Sequence, residues 1–337
     1  MRLAPLDLDA TQLADALGQG WGLRVGALQY VAIGGGSHHW RGLSSDGERL
    51  WLSVDDLQDK PFLGSTPAIV LAELKRALQL ARALHDDARL EFVVAPLLAR
   101  GDEVLRPVGK RYALAVYPFL QGRRFAFDQA LPPAELQQLL DILIRLHSAA
   151  ALVGGRARRV RVDVDHRDVL ADALLAVGRP WSGGPLSESA RELLATHATA
   201  VQRVLADFDR LSYERSVRAA PLVISHGEPH PGNVLACDGR LLLLDWDTVG
   251  LAPPERDLWW LASSAGTDAL DRYQTATGVR LDPGAIRLYR LRWLLDDLVY
   301  SVRRLAASHA ATLETEHAFA GLLKSVDLAE RLADQEG

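Results

Sequence analysis

The sequence predicts an α+β protein with two lobes: a small, mostly antiparallel sheet with one helix, followed by a larger, mainly helical part. Strand patterns joined by tight turns fill the first 120 of the 337 residues, and helical periodicity dominates the rest. The length also exceeds what one hydrophobic core usually supports. We therefore expect an N-terminal lobe over residues 1–120, a C-terminal lobe over residues 121–337, and a cleft between them.

The N-terminal part begins with three strand candidates. Leu28–Ile33 ends in a glycine-rich turn at residues 34–37, and His39–Leu43 follows it. The dipeptide Asp46-Gly47 is typical of a hairpin turn and joins this strand to Leu50–Val54. An antiparallel arrangement of these strands is therefore expected.

One helix and two more strands complete the predicted lobe. Pro67 opens a stretch in which apolar residues recur at helical spacing. Further strands are predicted at Phe92–Leu98 and Tyr112–Tyr117, and Pro118 and Gly122 mark the end of the lobe.

The C-terminal part reads mainly as helices separated by loops. Leucines of Pro133–Ala150 fall on one face of a helix. The other predicted helices cover residues 187–209, 255–263, 283–305 and 312–334, with irregular segments at 152–167 and 179–185.

The composition is that of an ordinary soluble globular protein. Hydrophobic residues make up 48%, charged residues 24%, and the net charge is -5, which excludes long disorder and a disulfide scaffold. A mildly acidic chain gives no electrostatic footprint for nucleic acid, and no run approaches the roughly 20 apolar residues of a membrane-spanning helix. We expect a cytoplasmic protein without a nucleic-acid or membrane partner, and the oligomeric state stays open.

The segment from Leu222 to Asp257 carries the chemistry. Asn233 and Asp245 each lie six residues from Gly239, which follows Asp238 in a predicted hairpin turn. A tight hairpin therefore places an amide oxygen and a carboxylate side by side at its feet. Such hard oxygen ligands, completed by phosphate and water oxygens, suit Mg²⁺.

Glu228 supplies a second carboxylate close to this predicted metal. It lies on a loop stiffened by Pro229 and Pro231, where an attacking hydroxyl needs a base. Each residue alone is more often structural: Asn233 in a turn, Asp245 as a cap, Glu228 as a solvated charge. The spacing that brings the three together favours the functional interpretation.

This segment resembles the aminoglycoside phosphotransferase family of small-molecule kinases, which has a protein-kinase-like fold. The family pattern appears as His226-Gly227-Glu228, then Asn233, then Asp245-Trp246-Asp247. The resemblance implies an ATP-dependent (or GTP-dependent), Mg²⁺-dependent phosphotransferase with a catalytic loop over 226–233. It makes Glu228 the catalytic base, Asn233 and Asp245 the magnesium ligands, and His226 a structural residue of the loop. Asp257 matches a structural aspartate at a helix start.

Two residues depart from the family pattern. Glu228 stands where the family usually has Asp, one methylene shorter. Ser53 stands where the third strand usually carries the lysine that pairs with the nucleotide phosphates. Lys60 either reaches into the site from the following loop or is a surface lysine.

The resemblance also predicts a nucleotide site. It places Gly34, Gly35, Gly36 and Ser37 against the phosphates, Glu73 on the first helix as the partner of the missing lysine, and Tyr117 and Phe119 in a hinge over residues 115–122. The alternative interpretations are a plain turn for residues 34–37, a solvated side chain for Glu73 and an ordinary core strand for the hinge segment.

Acceptor contacts are predicted on a late helix that carries Trp293, Asp296 and Asp297. In such kinases the helical lobe supplies acidic and aromatic residues that bind cationic acceptors. Adjacent aspartates cannot both face one way on a helix, and an ordinary amphipathic helix is the alternative.

The sequence thus predicts phosphoryl transfer from ATP to a hydroxyl of a small molecule, either cationic or neutral: an aminoglycoside-like antibiotic, a sugar or an amino alcohol. A catalytically degenerate nucleotide-binding protein is the first alternative, favoured by Ser53 and Glu228. A transition-metal protein with ligands such as His226, Glu228 and His230 is a remote alternative, because Gly227 and the prolines make this segment a loop.

Overall fold

A computed structural model describes residues 3–216 and 220–334. The chain packs as two compact units. Met1–Val160 and Pro221–Arg280 form the first, and Arg161–Ala220 and Leu281–Gly337 form the second. The predicted lobe boundary at residue 120 lies inside the first unit, and the division into lobes remains a prediction.

The helices and strands are numbered in chain order. The helices are α1 (Ala10–Trp21), α2 (Pro67–Asp86), α3 (Pro133–Ser148), α4 (Ala150–Val153), α5 (Arg167–Leu175), α6 (Ser187–Thr196), α7 (Ala198–Ser216), α8 (Glu255–Ala265), α9 (Thr267–Thr277), α10 (Pro283–Ala306) and α11 (Leu313–Ala333). The strands are β1 (Val25–Val31), β2 (His38–Ser44), β3 (Arg49–Asp56), β4 (Arg106–Val108), β5 (Tyr112–Pro118), β6 (Arg123–Arg124), β7 (Val223–Ser225), β8 (Val234–Cys237), β9 (Arg240–Leu243) and β10 (Gly250–Ala252).

The first unit begins with a five-stranded antiparallel sheet in the order β1-β2-β3-β5-β4. The predicted β1, β2, β3 and β5 are confirmed, with ends shifted by a few residues. Ser53 on the central strand β3 lies opposite His39 of β2 and Ala115 of β5. The position that the family pattern reserves for lysine is therefore at the middle of the sheet.

The two faces of this sheet pack against different helices because strand side chains alternate. Leu52 and Leu114 belong to one face, where they pack with Leu13 and Leu17 of α1. On the opposite face, Ala115 packs with apolar residues of α2. That second face also carries Ser53 and Asp55.

Helix α1 is an addition to the single helix predicted for this part of the chain. Asp9 caps it in a capping box with Gln12, and Leu13 and Leu17 are buried. These signals are visible in the sequence, but Gly18 and Gly20 lower the helix propensity of the segment.

The strand predicted at Phe92–Leu98 is wrong. The segment makes an isolated parallel bridge from Val93 to Leu243 of β9, and Leu97 N–H donates to Val116 O at 2.7 Å. Pro96 has no N–H to donate, so a regular ladder cannot continue through it. The apolar residues here are buried as an irregular connection.

The remainder of the first unit surrounds the segment that carries the chemistry. β8 and β9 form the predicted hairpin, β6 pairs with β8, and β7 pairs with β10. Helix α3 packs on β7, α8 and α9. The stretch Pro133–Arg156 is apolar and long enough to cross a membrane, with 44% of its window buried. Its buried leucines belong to α3, so packing accounts for much of that apolar character.

The second unit is a separate helical core. It combines α5, α6, α7, α10 and α11, and buried residues such as Leu194, Val201, Leu298 and Leu322 fill its interior. The helix predicted over 187–209 is two helices, because α6 ends at Thr196 and α7 begins at Ala198. Neither α5 nor α9 was predicted from the sequence.

Candidate active site

Asp257, in the first turn of α8, holds the loop that follows β7. Its carboxylate accepts hydrogen bonds from the backbone N–H groups of His226, at 2.9 Å, and Gly227, at 2.6 Å. Ser225 Oγ donates at 2.8 Å, and His147 Nε2 lies 3.0 Å away. Burial alone would raise the pKa of Asp257, but the hydrogen bond with His147 lowers it to about 2. The structural role predicted for Asp257 is confirmed.

His226 is an internal brace of the same loop. Its Nδ1 accepts the backbone N–H of Glu228 at 3.2 Å, so Nε2 carries the proton and donates to Leu244 O at 2.8 Å. The imidazole is fully buried, and burial lowers its pKa to about 4. The neutral ring therefore positions Glu228 through the backbone.

Gly227 is required for both conformation and space. Its φ is 100°, in the region that favours glycine. A Cβ at this position would collide with the guanidinium of Arg256, which donates to Ser225 Oγ at 3.0 Å and Thr248 O at 3.1 Å. The loop therefore passes directly against a buried cation.

The β8–β9 hairpin has a two-residue turn, with φ of 50° at Asp238 and 76° at Gly239. Its centre lies between those residues, so Leu244 is opposite Asn233, and Leu244 N–H donates to Asn233 O at 2.8 Å. The predicted side-by-side pairing of Asn233 and Asp245 is thus wrong by one residue. Asp245 comes directly after the paired residue, with a φ of 61°.

Asn233 is almost completely buried, with 9% of its surface exposed. Its Nδ2 lies 3.0 Å from Glu228 O, to which it donates, and 3.3 Å from His230 Nε2. This arrangement assigns the amide nitrogen to the loop and leaves Oδ1 as the atom that can coordinate a metal. Asn233 therefore also fixes the backbone at Glu228.

Lys60 lies among the carboxylates of Asp55, Asp245 and Asp247, and Glu228 lies near Asp245. We call these four carboxylates the acidic cluster. Lys60 Nζ is 2.6 Å from Asp247 Oδ2 and 2.9 Å from Asp55 Oδ1, and the lysine side chain is 1% exposed. Burial alone would lower the pKa of Lys60, but Asp247, Asp55 and Asp245 raise it well above its usual value. The structure therefore excludes the surface-lysine interpretation.

Asp245 remains accessible to solvent within this cluster. The protein nevertheless surrounds its carboxylate closely, and this desolvation, together with Asp247, raises its pKa well above the usual value. Lys60 opposes the shift, whereas Glu228 and Asp55 add to it. An accessible carboxylate crowded by other carboxylates is suited to bind a cation.

The donor set fits a hard divalent cation. The carboxylate of Asp245 and the amide oxygen of Asn233 are ligands of the kind that Mg²⁺ prefers, and one ammonium leaves the acidic cluster with excess negative charge. These two side chains are too few for a complete shell, so phosphate and water oxygens would have to complete it.

The glycine-rich turn at residues 34–37 joins β1 to β2. Ser37 Oγ donates to Asp55 Oδ1 at 2.6 Å, and a Cβ built on Gly36 would lie 3.9 Å from Lys60 Nζ. The structure thus brings Gly36 and Ser37 to the acidic cluster. Gly34 and Gly35 precede them in the same turn.

Glu73 is not brought to Lys60. It lies on α2, and its nearest ion-pair partner is Arg76 at 3.7 Å. Lys60 instead pairs with Asp55 and Asp247.

Tyr117 and Phe119 lie at the end of β5. Burial and the charges of Asp55 and Asp245 raise the pKa of Tyr117 well above its usual value, which places the phenol close to the acidic cluster. Phe119 N–H donates to Arg49 O at 3.1 Å, and its ring centre is 4.1 Å from Arg49 Cζ. A nucleotide-binding role for both residues remains a prediction.

The predicted acceptor residues lie in the second unit, on α10. Asp296 pairs with Arg292 at 3.1 Å. Asp297 is exposed, yet desolvation and the neighbouring Asp296 raise its pKa to about 7, against a hydrogen bond with Trp293 that lowers it. Trp293 and Asp297 therefore contact each other on one helix.

The two histidines of this loop, His226 and His230, both contact other residues of the protein. His230 Nε2 lies against Asn233, and its ring packs on Phe127 with 4.6 Å between centres. His226 has both ring nitrogens in hydrogen bonds. Within residues 3–216 and 220–334, no group of three or more His, Cys, Asp or Glu side chains is arranged to hold a metal ion. The transition-metal alternative therefore has no site in the described part of the chain.

Sequence reasoning missed several residues that organise this site. Asp55 is buried at the end of β3 and joins Ser37 to Lys60, and its signal was a pair of acidic residues after an apolar strand. His147, a buried residue of α3, is another. Its two ring nitrogens contact Asp257 and Tyr273 Oη.

A model of the "Phosphotransferase enzyme family" matches residues 64–290 of the chain. The matched range covers more than half of the 337 residues and includes the loop over residues 226–233, the hairpin and Asp257. The protein belongs to this family, and it is a phosphotransferase.

Solved structures with the same fold include three antibiotic-directed enzymes. Spectinomycin phosphotransferase APH(9)-Ia, crystallised with ADP and spectinomycin, is 17% identical, covers 96% of this chain and 98% of its own, and has a TM-score of 0.76. Amicoumacin kinase hAmiN, crystallised with AMP-PNP and Ca²⁺, is 11% identical over 95% and 93%, with a TM-score of 0.60. Macrolide 2'-phosphotransferase MphH from Brachybacterium faecium is 23% identical over 94% and 98%, with a TM-score of 0.51.

These likenesses confirm the predicted mixed fold, with its antiparallel sheet and mainly helical remainder. A comparison with curated proteins gives no match.

Proposed function

We propose that the protein transfers the γ-phosphoryl group of ATP (or GTP) to a hydroxyl group of a small molecule, using Mg²⁺ held by Asn233 and Asp245. One observation carries this proposal. The accessible carboxylate of Asp245 lies in an acidic cluster directly after a hairpin whose first foot presents the oxygen of Asn233. In a phosphotransferase, that arrangement suits the binding of a metal–nucleotide complex.

Glu228 is the proposed base. Its backbone is held from two sides, since its N–H donates to His226 Nδ1 and its carbonyl accepts from Asn233 Nδ2. The loop thus fixes the Cα of Glu228 relative to a metal ligand, and the carboxylate orients or accepts the proton of the acceptor hydroxyl. When bound, Mg²⁺ would offset negative charge on the transferred phosphate. Most of the protein's contribution is then positioning and electrostatics.

Nucleotide binding is supported by both the chain and the comparisons. Gly36 and Ser37 lie at the acidic cluster, and Tyr117 lies close to it. The solved structures with this fold include complexes with ADP, AMP and AMP-PNP, and one of them also holds Ca²⁺. We place the reaction in the cytoplasm, where ATP is available.

The acceptor is proposed to be a small antibiotic-like or sugar-like molecule that carries an amine. Trp293 and Asp297 combine an aromatic ring with an accessible carboxylate, a pairing that binds cations. The structures with the same fold include complexes with spectinomycin and hygromycin B. Asp296 is a weaker candidate because it already pairs with Arg292.

A nucleotide-binding protein without turnover is the second candidate function. Ser53 in place of lysine and Glu228 in place of aspartate favour it. Asn233 and Asp245, the proposed Mg²⁺ ligands of phosphoryl transfer, are both present, and Lys60 supplies a buried cation close to Asp245. These residues favour turnover.

Binding is tested first by the thermal shift with AMP-PNP in the presence and absence of Mg²⁺. We expect stabilisation that requires or is enlarged by Mg²⁺ in the wild type and is lost in Asp245→Asn. Hydroxylated compounds, with and without amines, are then screened for ATP consumption, and products are identified by a mass gain of one phosphate. Absence of nucleotide stabilisation under both conditions would contradict both candidate functions. Binding without any phosphorylated product across the screen favours the second.

A further inference from the structure

The position on the central strand where the family pattern has lysine offers no cation to a nucleotide. Ser53 occupies the middle of β3, and its neighbours across the sheet are Ala115 and His39. Burial lowers the pKa of His39 to about 3, so its imidazole is neutral. The positive charge that the family pattern places here has to come from another part of the chain.

Lys60 brings that charge from the loop after β3. Its ammonium lies between Asp55 and Asp247 and is almost inaccessible to solvent. The two carboxylates come from distant parts of the sequence. Asp55 is close to Lys60 along the chain, whereas Asp247 is 187 positions away from it. A buried ion pair of this kind contributes little net stability, but removing one partner leaves an uncompensated buried charge, which is strongly destabilising.

The contacts continue from Lys60 to the glycine-rich turn. Asp55 Oδ1 is shared between Lys60 Nζ, at 2.9 Å, and Ser37 Oγ, at 2.6 Å. The backbone of the turn also passes over the ammonium at Gly36. The four side chains Ser37, Asp55, Lys60 and Asp247 therefore form one continuous chain of charged hydrogen bonds, which we call the Lys60 relay.

The Lys60 relay connects two parts of the proposed nucleotide site. One end is the glycine-rich turn, and the other is the segment from Asp245 to Asp247. Movement of either end would break a hydrogen bond to a buried charge, which is costly. The relay is thus built to keep the turn and the metal-binding segment at a fixed separation.

We propose that Lys60 is a positioning residue that replaces the missing lysine of β3 by acting through Asp55 and Asp247, so that it aligns the glycine-rich turn with the metal-binding segment before nucleotide arrives. This inference rests on the proposed function, because it concerns the same nucleotide site. It differs from the family pattern in the position of the lysine and in its partners, which are two carboxylates of the protein.

The test compares Lys60→Met, Ser37→Ala, their double mutant and the control Lys75→Met. Lys75 lies on α2 and pairs with Glu103 in a half-exposed ion pair, so its removal leaves the relay intact. The measurements are the dissociation constant of AMP-PNP with Mg²⁺, by calorimetry, and hydrogen exchange of residues 34–37 in the nucleotide-free protein. Circular dichroism reports whether each variant is folded.

We expect Lys60→Met to weaken AMP-PNP binding by about tenfold or more, as for loss of a charged hydrogen bond, and to speed exchange in the turn. Ser37→Ala keeps all charges and should weaken binding by about three- to tenfold. The double mutant should bind no more weakly than Lys60→Met, because both changes break one relay. Lys75→Met should match the wild type.

The outcomes separate this inference from the proposed function. If the wild type binds no nucleotide, the proposed function is contradicted. Binding by the wild type together with unchanged affinity and exchange in Lys60→Met overturns the relay while leaving the proposed function intact. Additive effects of the two substitutions also overturn it. Should Lys60→Met not fold, Ser37→Ala decides: wild-type affinity and exchange contradict the relay, and weaker binding with faster exchange supports it.

Discussion

The backbone N–H of Gly227 donates a hydrogen bond of 2.6 Å to Oδ1 of Asp257, a residue 30 positions further along the chain. The same carboxylate accepts the N–H of His226. The loop that presents Glu228 is therefore attached at its start to a buried anion at the beginning of α8. Two backbone donors on one carboxylate leave that part of the loop little freedom to move.

Substitution of Asp257 should lower the free energy of unfolding by an amount that depends on pH. The pKa of Asp257 is about 2, below its ordinary value of 3.8, so its contribution is fully present above pH 3.8 and is lost as the pH falls towards 2. The difference corresponds to about 2.5 kcal/mol. Asp257→Asn should therefore lower the free energy of unfolding at pH 7, and the gap to the wild type should narrow below pH 4. Urea unfolding across pH measures both.

Asp268 offers a matched control for this experiment, because it is an exposed aspartate in the first turn of α9. Asp268→Asn should stay close to the wild type at every pH. An equal effect of the two substitutions would show that the hydrogen bonds of Asp257 do not carry its stability.

Burial of His226 should give the free energy of unfolding a second pH dependence, at higher pH than that of Asp257. Its pKa is lowered from 6.5 to about 4, so the stability associated with the neutral ring is present above pH 6.5 and is lost as the pH falls towards 4. The slope is about 1.4 kcal/mol per pH unit for one such group. His226→Gln cannot titrate and should show a shallower fall in unfolding free energy between pH 6.5 and 4.5. His317→Gln, at an exposed position of α11, should keep the wild-type slope, and equal slopes in all three proteins would refute the prediction.

Substitutions of Asp245 and Asn233 should both abolish activity but should differ in their effect on stability. Asp245 is accessible to solvent, so Asp245→Asn should abolish turnover with little change in melting temperature. Asn233→Ala should also abolish turnover, and it should lower stability by about 1 kcal/mol or more because Glu228 O loses a hydrogen bond. Asp238→Asn, in the exposed turn of the same hairpin, is the control for both. Wild-type rates in either active-site variant would disprove the metal assignment.

The value of kcat should depend on both the charge and the length of the side chain at position 228, and more strongly on the charge. Glu228→Gln removes the proposed base, so kcat should fall by about 10²- to 10⁴-fold with little change in the KM for ATP. Glu228→Asp restores the residue usual in the family but shortens the side chain, and the loop fixed by His226 and Asn233 cannot move to compensate. We expect an intermediate kcat for it. A fully active Glu228→Gln would rule out Glu228 as the base.

The loop over residues 226–233 and the hairpin could be predicted because their signals are local. Glycine, proline and turn residues fix the backbone over a few positions, and the strand on each side is short and apolar. The prediction that Asn233 pairs with Asp245 missed by one residue, because the count took Gly239 as the centre of the turn. In the structure the turn is centred between Asp238 and Gly239, both with positive φ.

Lys60 could not be placed from the sequence, since its partner Asp247 is 187 positions away and nothing local indicates that pairing. The same holds for His147, which contacts Asp257 across 110 positions. The prediction of a strand at Phe92–Leu98 was wrong for a related reason. Apolar residues indicate burial but not a particular backbone conformation, and here they are buried in an irregular segment around Pro96.

The second unit is assembled from two separate stretches of chain, Arg161–Ala220 and Leu281–Gly337, that bury a core of their own. Every hydrogen bond described for the catalytic loop, the hairpin and the Lys60 relay lies in the first unit. Mutations that repack the second unit's helices therefore need not disturb the phosphoryl-transfer machinery. Under selection, the helices proposed to recognise the acceptor are free to diverge quickly while the chemistry is inherited unchanged, and such a chain can acquire a new acceptor without first losing its reaction.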